Sequence, residues 1–124
     1  MQGCALFGGG STRIDESTPY QGPTITDSAQ SGTHIVTLSA PTAGWSAKLD
    51  RTEKRFEVTR VFITLTQPPA GSLVAQVVTP LMVETNVASE GAIRVYVRRV
   101  AFGEDERTSQ YRAAGRFPLE SMPH

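Results

Sequence analysis

Proline and glycine divide residues 41–83 into short pieces, and this punctuation constrains the fold more than any other feature of the chain. A Pro-Thr-Ala-Gly turn at residues 41–44 precedes one strand-like run, and residues 56–66 form a second. After a Pro-Pro-Ala-Gly turn at residues 68–71, residues 73–83 form a third. Short apolar runs bounded by Gly and Pro are typical of β-strands. The pattern therefore predicts an all-β module.

Alternation within these runs predicts which side chains lie inside. Two sets of three residues at every second position are each expected to share one strand face and lie inside: His34, Val36 and Leu38, and Ile93, Val95 and Val97. The intervening Arg94, Tyr96 and Arg98 are expected to face solvent, as on any exposed strand face. Trp45, the only tryptophan, is predicted to lie at the centre of the core.

Two irregularities refine the strand prediction. Within residues 56–66 the apolar side chains before Thr59 occupy even-numbered positions and the aliphatic side chains after Arg60 occupy odd-numbered positions, so the inward-facing side of the strand changes there. This change predicts a β-bulge or a strand that passes between sheets. Pro80 removes a ladder hydrogen bond and therefore predicts an edge strand or a strand break. Five to seven short antiparallel strands indicate a small antiparallel β-sandwich or an open barrel.

At 124 residues the chain has room for one ordinary domain. Residues 1–31 are rich in Gly, Ser, Thr and Pro and predict a flexible tether, with a possible first strand at residues 23–26. Residues 32–102 carry nearly all the aliphatic side chains and are predicted to be the β domain. Residues 103–124 are predicted to be a polar tail, irregular or with a short helix at residues 104–114.

Charge and residue type exclude several function classes. Twelve basic and twelve acidic residues give a net charge of zero, which argues against a general nucleic-acid binder. The two histidines, His34 and His124, lie in no recognisable catalytic pattern, and the acidic run at residues 104–106 lacks the spacing of a calcium loop. The sequence therefore predicts a protein that is not an enzyme and that uses no metal or cofactor.

Cys4 is the only cysteine, and it follows Gly3 and precedes a Gly/Ser run. This arrangement is typical of the lipidation site of a bacterial lipoprotein, although the apolar stretch of a signal peptide does not precede it. The alternative is an ordinary surface cysteine near a flexible terminus. Under the first interpretation the protein is extracytoplasmic, in the periplasm or at the cell surface, and contacts the membrane only through a lipid on Cys4.

The turn and strand motifs between residues 41 and 80 resemble the C-terminal domain of PrcB-like proteins. The resemblance rests on Pro-Thr-Ala-Gly-Trp-Ser at 41–46, Pro-Pro-Ala-Gly at 68–71 and Gln-Val-Val-Thr-Pro at 76–80, and covers residues 34–95. Ala43 and Trp45 stand where the family has a glycine and a different aromatic residue. PrcB-like proteins are surface lipoproteins that stabilise a protease complex, so the resemblance implies a protein partner and offers no catalytic residue.

The 41–45 loop is also similar to one loop of chagasin-type cysteine-protease inhibitors, which are β-sandwiches as well. The other two inhibitory loops of that family have no counterpart in this sequence. The function expected from the sequence is thus a non-enzymatic interaction module that binds or stabilises a partner such as a secreted protease, with protease inhibition as the alternative. The predicted partner-binding loops, or an exposed strand edge, would make the contact; the loop residues are Thr42, Ala43, Gly44, Trp45, Pro68, Pro69, Ala70 and Gly71.

Overall fold

The structure, a computed structural model, describes Ile14 and residues 20–30, 32–104 and 109–117. In these residues all regular secondary structure is β-strand, as the sequence predicted. The strands are β1 (Thr24–Gln30), β2 (Thr33–Ala40), β3 (Ser46–Arg55), β4 (Val58–Thr66), β5 (Thr79–Ala88), β6 (Ala92–Val100) and β7 (Arg112–Phe117).

Two sheets form a small β-sandwich. One sheet has three strands in the order β1-β2-β5, and the other has four strands in the order β3-β4-β6-β7. Neighbouring strands are antiparallel except β4 and β6, which are parallel. The parallel pair departs from the expected antiparallel arrangement because the chain leaves the second sheet after β4, adds β5 to the first sheet, and returns as β6 beside β4.

The core lies between the sheets and consists almost entirely of aliphatic side chains. The predicted alternation of β6 is confirmed, since Ile93, Val95 and Val97 are all in the core. In β2, Val36 and Leu38 are fully buried on the inner face. The remaining buried members come mainly from β4, with one residue each from β5 and β7: Val61, Ile63, Leu65, Val83 and Phe117.

A second cluster covers the outer face of the four-stranded sheet. Phe62, Tyr96 and Tyr111 pack together there, with Phe62 and Tyr96 stacked at 5.3 Å between ring centroids. Tyr96 points outward as alternation predicted, but its exposed fraction is only 1%. Its exposure was predicted wrongly because the aromatic neighbours and the Arg60 guanidinium, 5.2 Å from its ring centroid, shield it from water.

The connections between strands differ at the two ends of the sandwich. At one end, called here the short-turn end, tight turns at residues 56–57 and 89–91 join β3 to β4 and β5 to β6. At the opposite end, called here the loop end, the connections are residues 41–45, 67–78 and 101–111. Because the strands run between these ends, every longer connection in the described part of the domain lies at the loop end.

Two strand predictions were wrong in detail. The parity change near Thr59 and Arg60 arises from the Phe56–Glu57 turn, which separates β3 from β4, whereas the irregularity in pairing lies between Leu49 and Arg51. Residues 73–78 are not a strand, although their apolar residues alternate, because the second sheet already pairs β4 with β3 and β6. Regular pairing resumes at Thr79.

Pro80 is the second residue of β5, an edge strand of the three-stranded sheet, so the edge position predicted for it is confirmed. The short helix predicted within residues 104–114 is wrong where the structure describes that segment, because Arg112–Phe117 pairs with β6 as strand β7. Sheet pairing overrides the helical propensity of the Ala113–Ala114 pair here. Strand β7 thus lies within the segment 103–124, and β1 within the segment 1–31.

Candidate functional site

The 42–45 loop carries the chain from the first sheet to the second. The Trp45 indole Nε1–H donates a hydrogen bond of 3.1 Å to Thr42 Oγ1, and that hydroxyl donates one of 2.9 Å to the carbonyl oxygen of Ala43. Gly44 has a φ of 93°, in the left-handed region that favours glycine. The loop therefore has a defined shape that its own residue types determine.

The 68–71 turn is closed by Ser72. Both the backbone N–H and the hydroxyl of Ser72 donate to the carbonyl oxygen of Pro69, at 3.1 Å and 2.7 Å. Gly71 occupies the third position of this turn with a φ of 79°, the requirement of a type II turn. Pro69 and Ala70 are exposed at its tip.

The structure brings the two predicted loops together at the loop end. The Ala43 N–H donates a hydrogen bond of 3.0 Å to the carbonyl oxygen of Ala75. A β-carbon on Gly44 would lie 2.9 Å from Val74 Cγ1 and 3.0 Å from Pro68 Cβ, both closer than ordinary packing allows. Glycine at position 44 therefore allows the 42–45 loop to lie directly against residues 67–78 without displacing Val74 or Pro68.

Trp45 is half-buried, so it is not the centre of the core that the sequence predicted. It packs against the edge of the core cluster and lines an open groove of about 510 Å³. Pro23, Pro41 and Val78 line the same groove, together with Gln67 and Arg99. Small aliphatic residues from both sheets fill the centre instead, because the indole enters from a connection at the end of the sandwich.

Apolar side chains of the long 67–78 connection are exposed to solvent, and one of them, Val78, lines the groove. Leu73 is fully exposed, Val77 is 55% exposed and Val78 is 69% exposed. An apolar side chain that stays exposed contributes no burial free energy to folding. Exposed apolar residues grouped in one connection are typical of a surface that contacts another molecule. The sequence predicted a strand for this segment and so missed the exposure.

A second recess, of about 310 Å³, lies beside the groove and is more polar. Tyr20, Gln21 and Ser109 line it together with the guanidinium-bearing Arg99 and Arg112. Arg99 also lines the groove, so the two recesses share this residue. Sequence reasoning did not single out these residues, because chain segments that are far apart in the sequence meet there.

Tyr20 fixes residues 20–23, a segment that lines both recesses. Its hydroxyl donates a hydrogen bond of 2.7 Å to the carbonyl oxygen of Pro23. Burial raises the pKa of Tyr20 to about 12, against a smaller opposing effect of the Arg99 charge. The phenol is therefore neutral at physiological pH and acts as a hydrogen-bond donor.

His34 lies at the short-turn end, away from this surface, and is buried. Its Nδ1 lies 2.8 Å from Asp27 Oδ2, and its Nε2 lies 2.6 Å from the carbonyl oxygen of Gly91. These contacts join β1, β2 and the turn between β5 and β6. Because both ring nitrogens are engaged and the side chain is inaccessible, its geometry is that of a structural histidine.

A second polar group lies on the outer face of the four-stranded sheet. Asp50 accepts a hydrogen bond of 2.6 Å from the Tyr111 hydroxyl and another from Thr64, while Arg98 donates to Thr64 Oγ1 at 2.8 Å. Burial, followed by the bond to Asp50, raises the pKa of Tyr111 to about 12. Since these groups satisfy one another, they hold β3, β4 and β6 together with Tyr111, the residue before β7.

Several predicted residues lie outside the described residues, among them Cys4, His124 and the Asp105–Glu106 pair. Across the residues that are described, no group of three or more His, Cys, Asp or Glu side chains is placed to hold a metal ion. In the same ranges, no helix has the length and the apolar character needed to cross a membrane.

Comparison with known proteins leaves the site to be interpreted from its own geometry: no family model, no curated protein and no solved structure matches the chain.

Proposed function

We propose that the protein is a non-enzymatic interaction module that binds a partner protein through its loop end. The observation that carries this proposal is the contact between the two loops at Ala43 and Ala75, beside the exposed side chains of Leu73, Val77 and Val78. A protein interface needs apolar side chains presented on an ordered backbone. The hydrogen bonds of Thr42, Trp45 and Ser72 give the backbone of these loops that order.

The place of action and the class of partner rest on the sequence. Cys4 with its Gly/Ser neighbours supports a lipid-anchored protein outside the cytoplasm, at the periplasmic or outer cell surface. The resemblance to PrcB-like proteins supports a secreted protease as the partner, with stabilisation of that protease as the result of binding. In this arrangement the residues before β1 tether the domain to the membrane, and the loop end contacts the partner.

Capture of the partner by loop-end variants tests the proposal. The immobilised domain is expected to retain one protein from a cell-envelope extract of the source organism. Mass spectrometry identifies the retained protein. Replacing Leu73 and Val78 by Ser should reduce capture at least tenfold, because both side chains stand in solvent and carry little of the fold. The matched control is Phe56→Gly at the short-turn end, another fully exposed apolar residue, which should leave capture unchanged.

Equal capture by the Leu73/Val78 double variant and the unaltered domain would contradict the proposed surface. Anchoring is tested separately by expressing the precursor with Cys4→Ser. The unaltered precursor is expected to fractionate with membranes and the variant with the aqueous fraction. Unchanged membrane association of the variant would remove the lipid anchor from the proposal without affecting the loop end.

Inhibition of a cysteine protease is a second candidate. The observation that favours it is the position of the 42–45 loop beside the 68–71 turn at one end of a sandwich, an arrangement that can present several loops to a cleft. A stabiliser leaves cleavage intact, whereas an inhibitor that fills the cleft abolishes it at an equimolar ratio. No inhibition of papain is expected at micromolar protein. Tight inhibition that is lost on Thr42→Arg would establish the second function and exclude the first.

A further inference from the structure

We propose that the apolar groove and the polar recess form one continuous docking site for an extended peptide segment that carries apolar side chains next to a carboxylate. This inference rests on the proposed function and specifies the chemistry of the partner. Arg99 carries the argument, because it lines both recesses at the end of β6. The partner is expected to place an aliphatic side chain against Trp45 and an Asp, a Glu or a terminal carboxylate near Arg99.

The groove accounts for the apolar part of the ligand. Pro23, Pro41 and Val78 line it around the half-buried indole of Trp45. Proline rings and an indole face form a rigid apolar surface that loses little conformational entropy when it is covered. A volume of about 510 Å³ is large enough for aliphatic side chains of a peptide and is within the range of small-ligand sites.

The polar recess accounts for the negative charge. Arg99 and Arg112 are its charged lining residues, and none of the described residues that line it is acidic. A guanidinium group has five N–H donors in a plane, which suits the two oxygens of a carboxylate. Arg99 uses one N–H in a hydrogen bond of 3.3 Å to the carbonyl oxygen of Gln21, and this bond holds the arginine at the boundary between the recesses.

The combination of the two recesses favours a peptide over other anions. A free phosphate would use only the polar recess and would gain nothing from Trp45 and the prolines. A nucleic-acid backbone needs an excess of positive charge over a longer surface, whereas the whole chain has a net charge of zero. A polypeptide segment is the one ligand of these three that supplies aliphatic side chains and a carboxylate within neighbouring residues.

Three peptides that differ only in charge test the inference. The probe is acetyl-Ser-Leu-Val-Leu-Asp-Asp-Ser-amide, and its two matched forms have Asn or Lys in place of both Asp residues. Trp45 is the only tryptophan of the chain and lines the groove, so its fluorescence reports binding without a label. The acidic peptide is expected to bind with a Kd at least tenfold lower than that of either other peptide, and its affinity should fall as salt is raised.

The variant Arg99→Gln should weaken binding of the acidic peptide about tenfold and leave the affinity of the Asn peptide nearly unchanged, because only a carboxylate pairs with the guanidinium. Arg55→Gln is the control, since it removes the same charge from an exposed residue at the short-turn end. Thermal melts check that both variants are folded. If Arg55→Gln weakens binding as much as Arg99→Gln does, the loss of affinity comes from the change in net charge and not from the position of Arg99. This result would overturn the inference.

Equal binding of all three peptides, or binding of none, would also overturn the inference. These results are distinguishable from failure of the proposed function, which the Leu73/Val78 variant tests on the captured partner without any assumption about charge. If capture depends on Leu73 and Val78 and no peptide shows the acidic preference, the loop end binds a partner by other chemistry.

Discussion

The two ends of the sandwich hold their backbones in place by different means. At the short-turn end, the buried His34 side chain joins Asp27 to the Gly91 carbonyl, and the Ser89 N–H donates a hydrogen bond of 2.8 Å to Gly32. At the loop end, order comes from the hydrogen bonds of Trp45 and Ser72 within the loops and from the backbone contact of Ala43 with Ala75. The two ends therefore differ in what orders the backbone: a buried side chain at the short-turn end, and hydrogen bonds within and between exposed loops at the loop end.

The two ends also differ in where the backbone is strained. Phe56 has a φ of 55° and is 96% exposed in the turn between β3 and β4, so the chain accepts an unfavourable backbone conformation to keep this connection short. At the loop end, the positions with positive φ at residues 44 and 71 are glycines, which adopt it without strain. Loop-end backbone geometry is thus encoded in the residue types.

The largest expected effect is that of His34→Ala. Removing the imidazole leaves the Asp27 carboxylate and the Gly91 carbonyl without their partner, which should lower the free energy of unfolding by about 3 kcal/mol. Thr42→Val at the loop end removes the hydrogen bond from Trp45 and the one to the Ala43 carbonyl, both half-exposed, and should cost about 1 kcal/mol. Urea unfolding of both variants measures the difference. Equal losses of unfolding free energy in the two variants would show that the two side chains contribute equally to stability and would contradict the difference between the ends.

Trp45→Ala is expected to have the next largest effect. A fully buried aromatic costs about 3–5 kcal/mol on truncation, but Trp45 is half-buried and lines a groove, so a loss of about 2 kcal/mol is expected. The folded variant should also lose partner binding. Thermal melts together with a binding assay separate the two roles. A variant that is unfolded at room temperature would place Trp45 in the core after all.

Gly44→Ala and Gly71→Ala compare two glycines of the loop end that both have positive φ. At Gly44 the added methyl group meets Val74 and Pro68 and also forces alanine to a φ of 93°, so a cost of about 1–2 kcal/mol is expected. At Gly71 no atom lies within 4 Å of an added β-carbon, and only the backbone strain, about 1 kcal/mol, applies to Gly71→Ala. Chemical denaturation of the pair tests the packing of the two loops. A Gly44→Ala variant no less stable than Gly71→Ala would show that the loops do not press on each other.

The smallest expected effect is a gain in stability. Phe56→Gly relieves the positive φ of an exposed residue and should raise the free energy of unfolding by about 0.5–1 kcal/mol. Differential scanning calorimetry measures it. A loss of stability would mean that the Phe56 ring contributes to folding, and a loss of partner binding would move the binding surface to the short-turn end.

The sequence predicted the parts of the fold that depend on local pattern. Alternation at residues 93–97 gave the inward face of β6, and the Pro and Gly residues gave the positions of the loops at 42–45 and 68–71. Alternation misled at residues 73–78, because the same apolar spacing is compatible with an exposed connection. Strand β7 was missed because pairing with β6 decides its conformation, and an Ala-Ala-Gly stretch carries no signal for that pairing.

The candidate site was predicted only in part. The loop residues could be named from the sequence, but the groove and the polar recess form where β1, β6 and β7 meet segments distant in the chain. Arg99 looked like any other charged residue of an alternating strand. Its placement between two recesses follows from sheet order, which local sequence does not specify.

We propose that the loop end, and not the short-turn end, contacts the partner. Site-specific photocrosslinking in living cells tests it most directly, with a benzophenone amino acid placed at Leu73 or, in a separate strain, at Phe56. Both side chains are fully or almost fully exposed, so either position accepts the probe without unfolding the domain. One discrete crosslinked adduct is expected from position 73 and none from position 56. An adduct that forms from position 56 and not from position 73 would contradict the proposal.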